Sequence, residues 1–215
     1  MGYFRELPEI DYQSFLSDSN SSQNYLRVKN LFRRCKLRDD LQNVFTLFNK
    51  YEIVEGARPD TVAEELYGDA ELDWVVLMTA GIINVRDEWP LSDRQIYNYS
   101  NQLYGNQLNE VRFYETREVK DSNGRLILPK GKVVDSTFSI PDPDDFNTTI
   151  SPINGISNYE YEVRKNDAKR SIYLLKVGYL QQFLNDMRRE MIYSRSSQYV
   201  SESLVRTENT KNRMP

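Results

Sequence analysis

The sequence predicts a mixed α+β fold, and three local signals support this prediction. Pro59 and Gly68 bracket a stretch with helical spacing, which is typical of a helix that has proline in its first turn and glycine after its last. Ser92 and Gln95 have the spacing of a capping box and predict another helix start. Asn123-Gly124 lies between two strand-like runs and strongly indicates a β-hairpin. The chain has 215 residues, enough for one large domain or two small ones.

Composition excludes several functional classes. The chain has no histidine, so Ser-His-Asp catalysis and imidazole zinc sites are excluded, and its single cysteine, Cys35, permits neither an internal disulfide nor a thiolate metal cluster. The net charge of -4 gives no reason to expect nucleic-acid binding. No apolar run is long enough to span a membrane, and the first residues lack an apolar signal-peptide core.

No motif for chemistry stands out. Dinucleotide, nucleophile-elbow and P-loop patterns are missing, so the sequence predicts no cofactor and no enzyme. Asp142, Asp144 and Asp145 form the sharpest acidic cluster. Phe146 and Asn147 stand where a calcium loop needs a ligand and a glycine, so a solvated loop is the better interpretation. An enzyme built on scattered carboxylates stays an open alternative, because such groups meet only in the fold.

The first third of the chain is predicted to begin with an extended arm over residues 1–24. Val28, Leu31, Phe32 and Cys35 then have helical spacing and predict a helix over residues 25–36. A basic group lies beside that stripe, and it is either a solvated face or a docking surface for an acidic protein partner; its members are Lys29, Arg33, Arg34 and Lys36. A strand is expected over residues 43–54.

Three helices should follow, from Pro59 to Tyr67, from Ala70 to Thr79 and from Ser92 to Gly105. Strands are expected at 111–119 and 125–134, and a long Pro-rich loop at 135–158. Two more strands, at 159–163 and 171–177, lead to a last helix over 178–193 and a polar tail from residue 194. The apolar positions predicted to form the structural core are Leu66, Trp74, Leu77, Phe183 and Met187.

One local pattern resembles a LysM module, which is a small unit of two helices and two strands. The pattern is a strand, a turn and a helix followed by a second helix; it reads Tyr51-x-Ile53-x-x-Gly56, Asp60-Thr61-Val62-Ala63, Leu66-Tyr67-Gly68. LysM modules commonly bind the N-acetyl sugars of peptidoglycan or chitin. Here Ala57, Arg58 and Pro59 widen the turn that helps to form the sugar groove.

Including this element, the fold is expected to be a LysM-like strand-helix-helix core with an added β-hairpin, a C-terminal helix and extended arms. Four parts are expected along the chain. Residues 1–24 form an N-terminal arm, and residues 25–105 contain a helix, the LysM-like core and the following helix. Residues 106–193 contain the hairpin, the long loop and the C-terminal strand-helix, and residues 194–215 form a tail.

A wider resemblance covers residues 11–194 in blocks. The chain resembles the gene 53 baseplate wedge proteins of T-even-like contractile-tailed phages, and its N-terminal segment looks most like the cyanophage versions. The matching positions are Arg58-Pro59-Asp60, Ala63, Leu66-Tyr67-Gly68, Leu72, Trp74-Val75, Leu77-Met78, Trp89-Pro90-Leu91-Ser92, Tyr99, Tyr104-Gly105, Asn166, Lys169-Arg170, Ile172, Tyr179, Phe183, Asn185-Asp186 and Met191.

The resemblance implies a structural virion protein of the tail baseplate, assembled in the host cytoplasm. It implies a non-catalytic clamp that joins wedge components and promotes ring closure around the hub. The implied partners are other wedge proteins and the sheath-initiator protein, with hub or tail-tube proteins as further neighbours. The alternative is a LysM-type peptidoglycan-binding module. If the protein is a clamp, the arms should make the contacts, through Tyr3, Phe4, Tyr12, Phe15, Tyr199, Leu204, Val205 and Arg206.

Overall fold

The computed structural model describes residues 2–13, 25–37, 46–145 and 147–207. Its mixture of helices and small sheets confirms the predicted α+β class. The helices are α1 Tyr3–Glu6, α2 Pro59–Tyr67, α3 Asp73–Ala80, α4 Val85–Glu88, α5 Asp93–Tyr104, α6 Asn158–Ala168 and α7 Val177–Met191. The strands are β1 Glu9–Gln13, β2 Tyr25–Lys29, β3 Phe48–Glu52, β4 Val111–Thr116, β5 Val119–Lys120, β6 Leu126–Leu128, β7 Val133–Val134, β8 Ile140–Pro141, β9 Thr149–Ile150, β10 Ile153–Ser157, β11 Ser171–Leu175, β12 Tyr199–Ser201 and β13 Leu204–Arg206.

The chain divides into two compact units. Unit 1 consists of residues 1–53, 57–88 and 172–215, and unit 2 consists of residues 54–56 and 89–171. Unit 1 is therefore assembled from segments at both ends of the chain, and most of unit 2 is inserted between them.

Helix α2 begins and ends where its residues predict, whereas α3 begins at Asp73 rather than at Ala70, because residues 70–72 form a short 3-10 turn. Pro59 occupies the first turn of α2, where its missing N–H leaves no hydrogen bond unmade. Gly68 ends α2 with φ of 73°, and its N–H donates to the Glu64 carbonyl. Gly81 ends α3 in the same left-handed conformation, which glycine adopts without steric strain.

Strands β3 and β11 pair in a two-stranded sheet, and helices α2 and α3 follow β3 in the chain. Tyr67 at the end of α2 donates its hydroxyl to the Leu175 carbonyl in β11 at 2.9 Å, and burial raises the pKa of Tyr67 to about 12. Strands β3 and β11 with helices α2 and α3 thus form an element of two strands and two helices within unit 1. The likeness of this element to a LysM module stays a prediction.

The predicted core residues lie on α2, α3 and α7. Trp74 and Met187 are buried, whereas Leu66, Leu77 and Phe183 are half-buried. Around them the apolar core of unit 1 includes Ile53, Val62, Val75, Val76, Leu174 and Leu184.

Unit 2 has a three-stranded sheet in the order β10-β4-β7. Gly155 of β10 lies opposite Tyr114, and a Cβ there would come within 3.1 Å of Val111, so glycine allows this close pairing. The Asn123-Gly124 hairpin is confirmed, because β5 and β6 pair on either side of it and Gly124 has φ of 79°. The predicted capping box is also confirmed: the Ser92 N–H donates to Gln95 Oε1 at 3.1 Å.

Helix α6 buries polar side chains. The Asn166 side chain accepts a hydrogen bond from the Leu91 N–H at 2.7 Å and donates one to the Leu91 carbonyl at 2.9 Å. These two bonds fix the backbone of the Trp89-Pro90-Leu91 segment. Glu162 accepts from the Tyr104 hydroxyl at 2.9 Å. Both α6 residues are buried, and both are hydrogen-bonded, as buried polar groups require.

The structure corrects two predictions of secondary structure. Residues 25–36 are not a helix, because β2 covers Tyr25–Lys29 and the segment after it has no regular structure. Residues 159–163 are not a strand but part of α6, which Ser157 begins by accepting from the Glu160 N–H at 3.1 Å. The strand expected over 43–54 is shorter, and its first residues lie outside the described part of the chain.

Short helices and strands are also present in the predicted loop, in the predicted N-terminal arm and in the predicted tail. The segment over 135–158 contains β8, β9 and β10. The N-terminal arm contains α1 and β1, and the tail contains β12 and β13. The two ends were expected to be separate arms; instead β1 pairs with β13, a long-range contact that no local pattern reveals.

Replacing Trp74 by alanine should destabilise unit 1. The Trp74 side chain is 8% exposed and contacts the rings of Tyr3 and Phe183, with centroids 5.6 and 6.1 Å away. Trp74→Ala leaves a cavity there and should cost about 3–5 kcal/mol of unfolding free energy, measured by urea denaturation. Ile83→Ala is the control, because Ile83 is 84% exposed and its loss should cost less than about 0.5 kcal/mol. Equal midpoints for Trp74→Ala and its parent would contradict the prediction.

Candidate protein-docking surface

The two ends of the described chain meet in one sheet with the strand order β12-β13-β1-β2, here called the terminal sheet. Strand β1 runs antiparallel to β2 and parallel to β13. Two backbone hydrogen bonds extend the β1–β13 pairing, from the Glu9 N–H to the Ser203 carbonyl at 2.7 Å and from the Thr207 N–H to the Asp11 carbonyl at 2.9 Å. The sheet therefore brings one predicted contact residue from the N-terminal set, Tyr12, together with the C-terminal set, which is Tyr199, Leu204, Val205 and Arg206.

One face of the terminal sheet carries charged side chains together with the buried Leu204. We call it the inner face; its residues are Glu9, Asp11, Arg27, Lys29, Leu204 and Arg206. Asp11 is only 6% exposed, and it lies 3.2 Å from Arg27 Nε and 3.6 Å from Arg206 Nη2. Leu204 is buried on the same face. The buried carboxylate thus lies beside the guanidinium groups of two largely exposed arginines, which offset the cost of removing it from water.

The remaining charges of the inner face are also paired. Glu9 lies 3.5 Å from Lys29 and 3.7 Å from Arg27. Lys29 also donates to the Leu7 carbonyl at 2.9 Å, and the Arg206 guanidinium lies 4.8 Å from the centre of the Tyr25 ring. These contacts hold the long cationic side chains against the sheet, where cation–π contact adds to the ion pairs.

The opposite face, which we call the outer face, is apolar. Residues directly opposite in register share a face, so Ile10 lies beside Val28 and Val205, and Tyr12 lies beside Leu26. Tyr199 extends the row from Val205 on the last strand. Tyr12, Leu26 and Val28 are 41–45% exposed. Neighbouring exposed apolar side chains of this kind mark the outer face as a surface for a partner.

Two contacts fix the N-terminal segment on α7. Glu6 accepts two hydrogen bonds from the Arg188 guanidinium, at 2.7 and 2.9 Å, and this pair lowers the pKa of the Glu6 carboxyl. Tyr193, just after α7, donates its hydroxyl to the Glu9 carbonyl at 3.1 Å and accepts from Asn30 at 2.9 Å. The terminal sheet is thereby anchored at its β1 strand.

The predicted contact residues lie in three places. Tyr12, Tyr199 and Val205 lie on the outer face, whereas Leu204 and Arg206 lie on the inner face. Tyr3 and Phe4 are on α1, where Tyr3 packs on Trp74 and Phe4 is exposed. Phe15 lies outside the described residues.

Sequence reasoning missed Ile10, Leu26 and Val28 as surface residues. Leu26 and Val28 alternate with Arg27 and Lys29, and this period of two was the signal that could have found them.

The described residues contain no group of three or more Cys, Asp or Glu side chains arranged to hold a metal ion. In the same part of the chain, every helix is too short or too polar to cross a bilayer.

Comparisons with known proteins agree with a structural role in assembly. The sequence model of the family described as base plate wedge protein 53 matches residues 4–190. A relative, the baseplate wedge protein gp53 of Enterobacteria phage T4, is 26% identical over 145 residues, which cover 66% of this chain and 72% of the relative. The class is thus the baseplate wedge proteins of phages. The chain belongs to the base plate wedge protein 53 family.

The Glu6–Arg188 pair should make stability depend on pH. The pKa of Glu6 lies below its ordinary value of 4.5 in the folded chain, so its contribution is full at neutral pH and is lost as the pH falls through the lowered folded pKa. Glu6→Gln should cost about 1 kcal/mol at pH 7, because Arg188 is partly exposed, and the difference from the parent should shrink toward pH 3.

Urea denaturation at several pH values measures this difference. Glu64→Gln is the matched control, since the exposed Glu64 carboxylate forms no ion pair in the described part of the chain. A Glu6→Gln penalty that stays constant from pH 7 to pH 3 would show that the pair does not stabilise the fold electrostatically.

Proposed function

We propose that this chain is a non-catalytic structural protein of the phage tail baseplate that joins wedge components and promotes closure of the wedges into a ring around the hub. The observation that carries the proposal is the exposed apolar outer face of the terminal sheet. Family membership supports a wedge protein as the occupant of that face. The partners are other wedge proteins and the sheath-initiator protein, with hub or tail-tube proteins as further neighbours, and the protein joins them during assembly in the host cytoplasm.

The physical basis is the free energy of burying the outer face. Each of its larger apolar side chains contributes about 1.5–3 kcal/mol when it is fully removed from water. Association costs translational and rotational freedom, so a patch of six residues alone gives a weak contact. A clamp overcomes this limit by touching more than one neighbour, because a second contact then forms at high effective concentration.

Point substitutions test this proposal better than truncation. Removing residues 195–215 would delete β12 and β13, and β1 would lose its parallel partner and the buried Leu204. Such a chain would lose stability and association together, and the two effects could not be separated.

Leu26→Thr combined with Val28→Thr should weaken association without unfolding the sheet. Threonine is β-branched and suits a strand, but it removes most of the apolar surface that these two side chains offer to a partner. We expect binding to a wedge subassembly assembled without this chain to weaken roughly tenfold or more. Sedimentation measures binding, and electron microscopy counts closed rings.

Leu126→Thr combined with Val133→Thr is the matched control. These residues are also exposed and lie on strands, but they belong to unit 2. Rings that form equally well with the variant of the outer face and with this control would contradict a docking role for the terminal sheet.

A second candidate function is peptidoglycan binding, which the two-strand, two-helix element of unit 1 favours. The widened turn at Ala57, Arg58 and Pro59 argues for protein contact instead. We therefore expect no saturable binding to purified cell-wall sacculi and no loss of their turbidity. A pull-down with increasing amounts of sacculi tests this, and micromolar saturation would favour the LysM alternative.

A further inference from the structure

A short basic segment of unit 1 crosses the surface without regular structure. We call residues 31–37 the basic strap; they read Leu-Phe-Arg-Arg-Cys-Lys-Leu. Arg33 ties it to the end of α7, because its Nη2 donates to the carbonyls of Glu190 and Ile192 at 2.8 and 3.0 Å. The guanidinium also lies 5.2 Å from the centre of the Tyr193 ring. The strap is thus a fixed feature of the surface with three cationic and no acidic residues.

Two cavities lie against the strap. The first, of about 840 Å³, lies between the strap and α7 and has apolar walls formed by Phe32, Met78, Phe183 and Met187. The second, of about 600 Å³, lies between the strap and α3, and its apolar walls are formed by Tyr3, Trp74, Leu77, Ile82 and Ile83. Both cavities also contact Arg34, Cys35 and Lys36. Each therefore combines an apolar wall with a cationic one.

Each cavity has one apolar wall residue that is largely exposed to solvent, whereas others, such as Trp74 and Met187, are buried. Phe32 is 98% exposed in the first cavity, and Ile83 is 84% exposed in the second. An exposed aromatic side chain such as Phe32 can supply much of the binding free energy when a partner removes it from water.

The charges at the strap determine whether an acidic or a basic segment binds there more favourably. Arg34 and Lys36 are exposed and alternate with the half-buried Cys35 and Leu37. Of the two acidic residues at the first cavity, Asp186 already pairs with Arg189. The strap is therefore locally basic although the whole chain carries a net charge of -4. Complementary charge favours an acidic occupant and accelerates its approach.

We propose that the basic strap binds an acidic segment of another wedge protein, whose apolar side chains enter the two cavities while its carboxylates face Arg34 and Lys36. This inference rests on the proposed function and adds the chemistry of one partner. The apolar walls favour a protein segment over a nucleic acid. A single strand of nucleic acid binds by stacking successive bases on exposed aromatic rings. Among the aromatic residues that line the two cavities, Phe32 alone is fully exposed, so such stacking has too few rings.

Neutralising the strap gives the first test. Arg34→Gln combined with Lys36→Gln should weaken binding to a purified wedge subassembly that lacks this chain about 5- to 30-fold at ~0.1 M salt. The loss should shrink toward ~1 M salt, where screening acts over about 3 Å. Lys130→Gln combined with Lys132→Gln is the control, because it makes the same charge change at the same spacing on exposed residues of unit 2. Equal affinities for the two double variants would overturn the proposal.

Photocrosslinking identifies the occupant. Phe32→p-benzoylphenylalanine leaves the fold unchanged, because Phe32 is exposed, and it places the reactive group in the first cavity. A cross-link to an acidic segment of another wedge protein is the expected result. A cross-link to a neutral or basic segment, to a second copy of this chain or to this chain itself would overturn the proposal, as would no cross-link in wedges that retain the chain.

The two proposals fail in distinguishable ways. If the parent chain does not bind the wedge subassembly, the proposed function is wrong. If the parent binds and the strap variant binds equally well, only the docking role of the strap is wrong, and the terminal sheet can still be the docking surface.

Discussion

The parallel pairing of β1 with β13 is the contact on which the rest of unit 1 depends. It joins residues 196 positions apart, as in the hydrogen bond from the Thr207 hydroxyl to the Asp11 carbonyl. The entropy cost of closing such a loop grows only slowly with length, about 0.6 kcal/mol for each doubling. Burial of Leu204 and the ion pairs of Asp11 offset that cost. The pairing thereby permits a large insertion, unit 2, between segments that must fold together.

The same pairing fixes which residues share a face of the terminal sheet. Because side chains alternate along a strand, Asp11 and Leu204 on the inner face place Ile10, Tyr12 and Val205 on the outer face. A one-residue slip in register would exchange the two faces, but it would expose Leu204 and separate Asp11 from Arg206. The charged network thus specifies the register, and the register specifies which apolar residues remain available to a partner.

The sequence predicted the structural features that depend on neighbouring residues, and it did not predict those that depend on contacts between distant residues. Pro59, Gly68, the Ser92 capping box and Asn123-Gly124 act over a few residues, so their geometry follows from their own chemistry. The first half of helix α6, residues 159–163, was predicted as a strand because the buried positions of the helix, Glu162 and Asn166, are polar and hide the helical period. Their partners, Tyr104 and Leu91, are distant in sequence, and no pattern in one chain links them.

The candidate surface was predictable only in part for the same reason. Tyr12, Tyr199 and Val205 were selected as apolar residues near the ends of the chain, but their common face depends on the β1–β13 register. The segment from residue 25 fitted two periods: Val28, Leu31 and Phe32 suit a helix, whereas Leu26 and Val28 suit a strand. Pairing with β1 decided between them, since a strand there satisfies backbone groups of both segments.

In the proposed assembly, the terminal sheet and the basic strap contribute different properties. The outer face is apolar and non-directional, so it supplies affinity but discriminates poorly among apolar partners. The strap adds charge at Arg34 and Lys36, which rejects basic partners by like-charge repulsion and steers acidic ones. Since β2 leads directly into the strap, both surfaces are presented by one continuous segment. Occupying one surface therefore raises the effective concentration of a linked partner segment at the other, and the pair can be selective without either contact being strong.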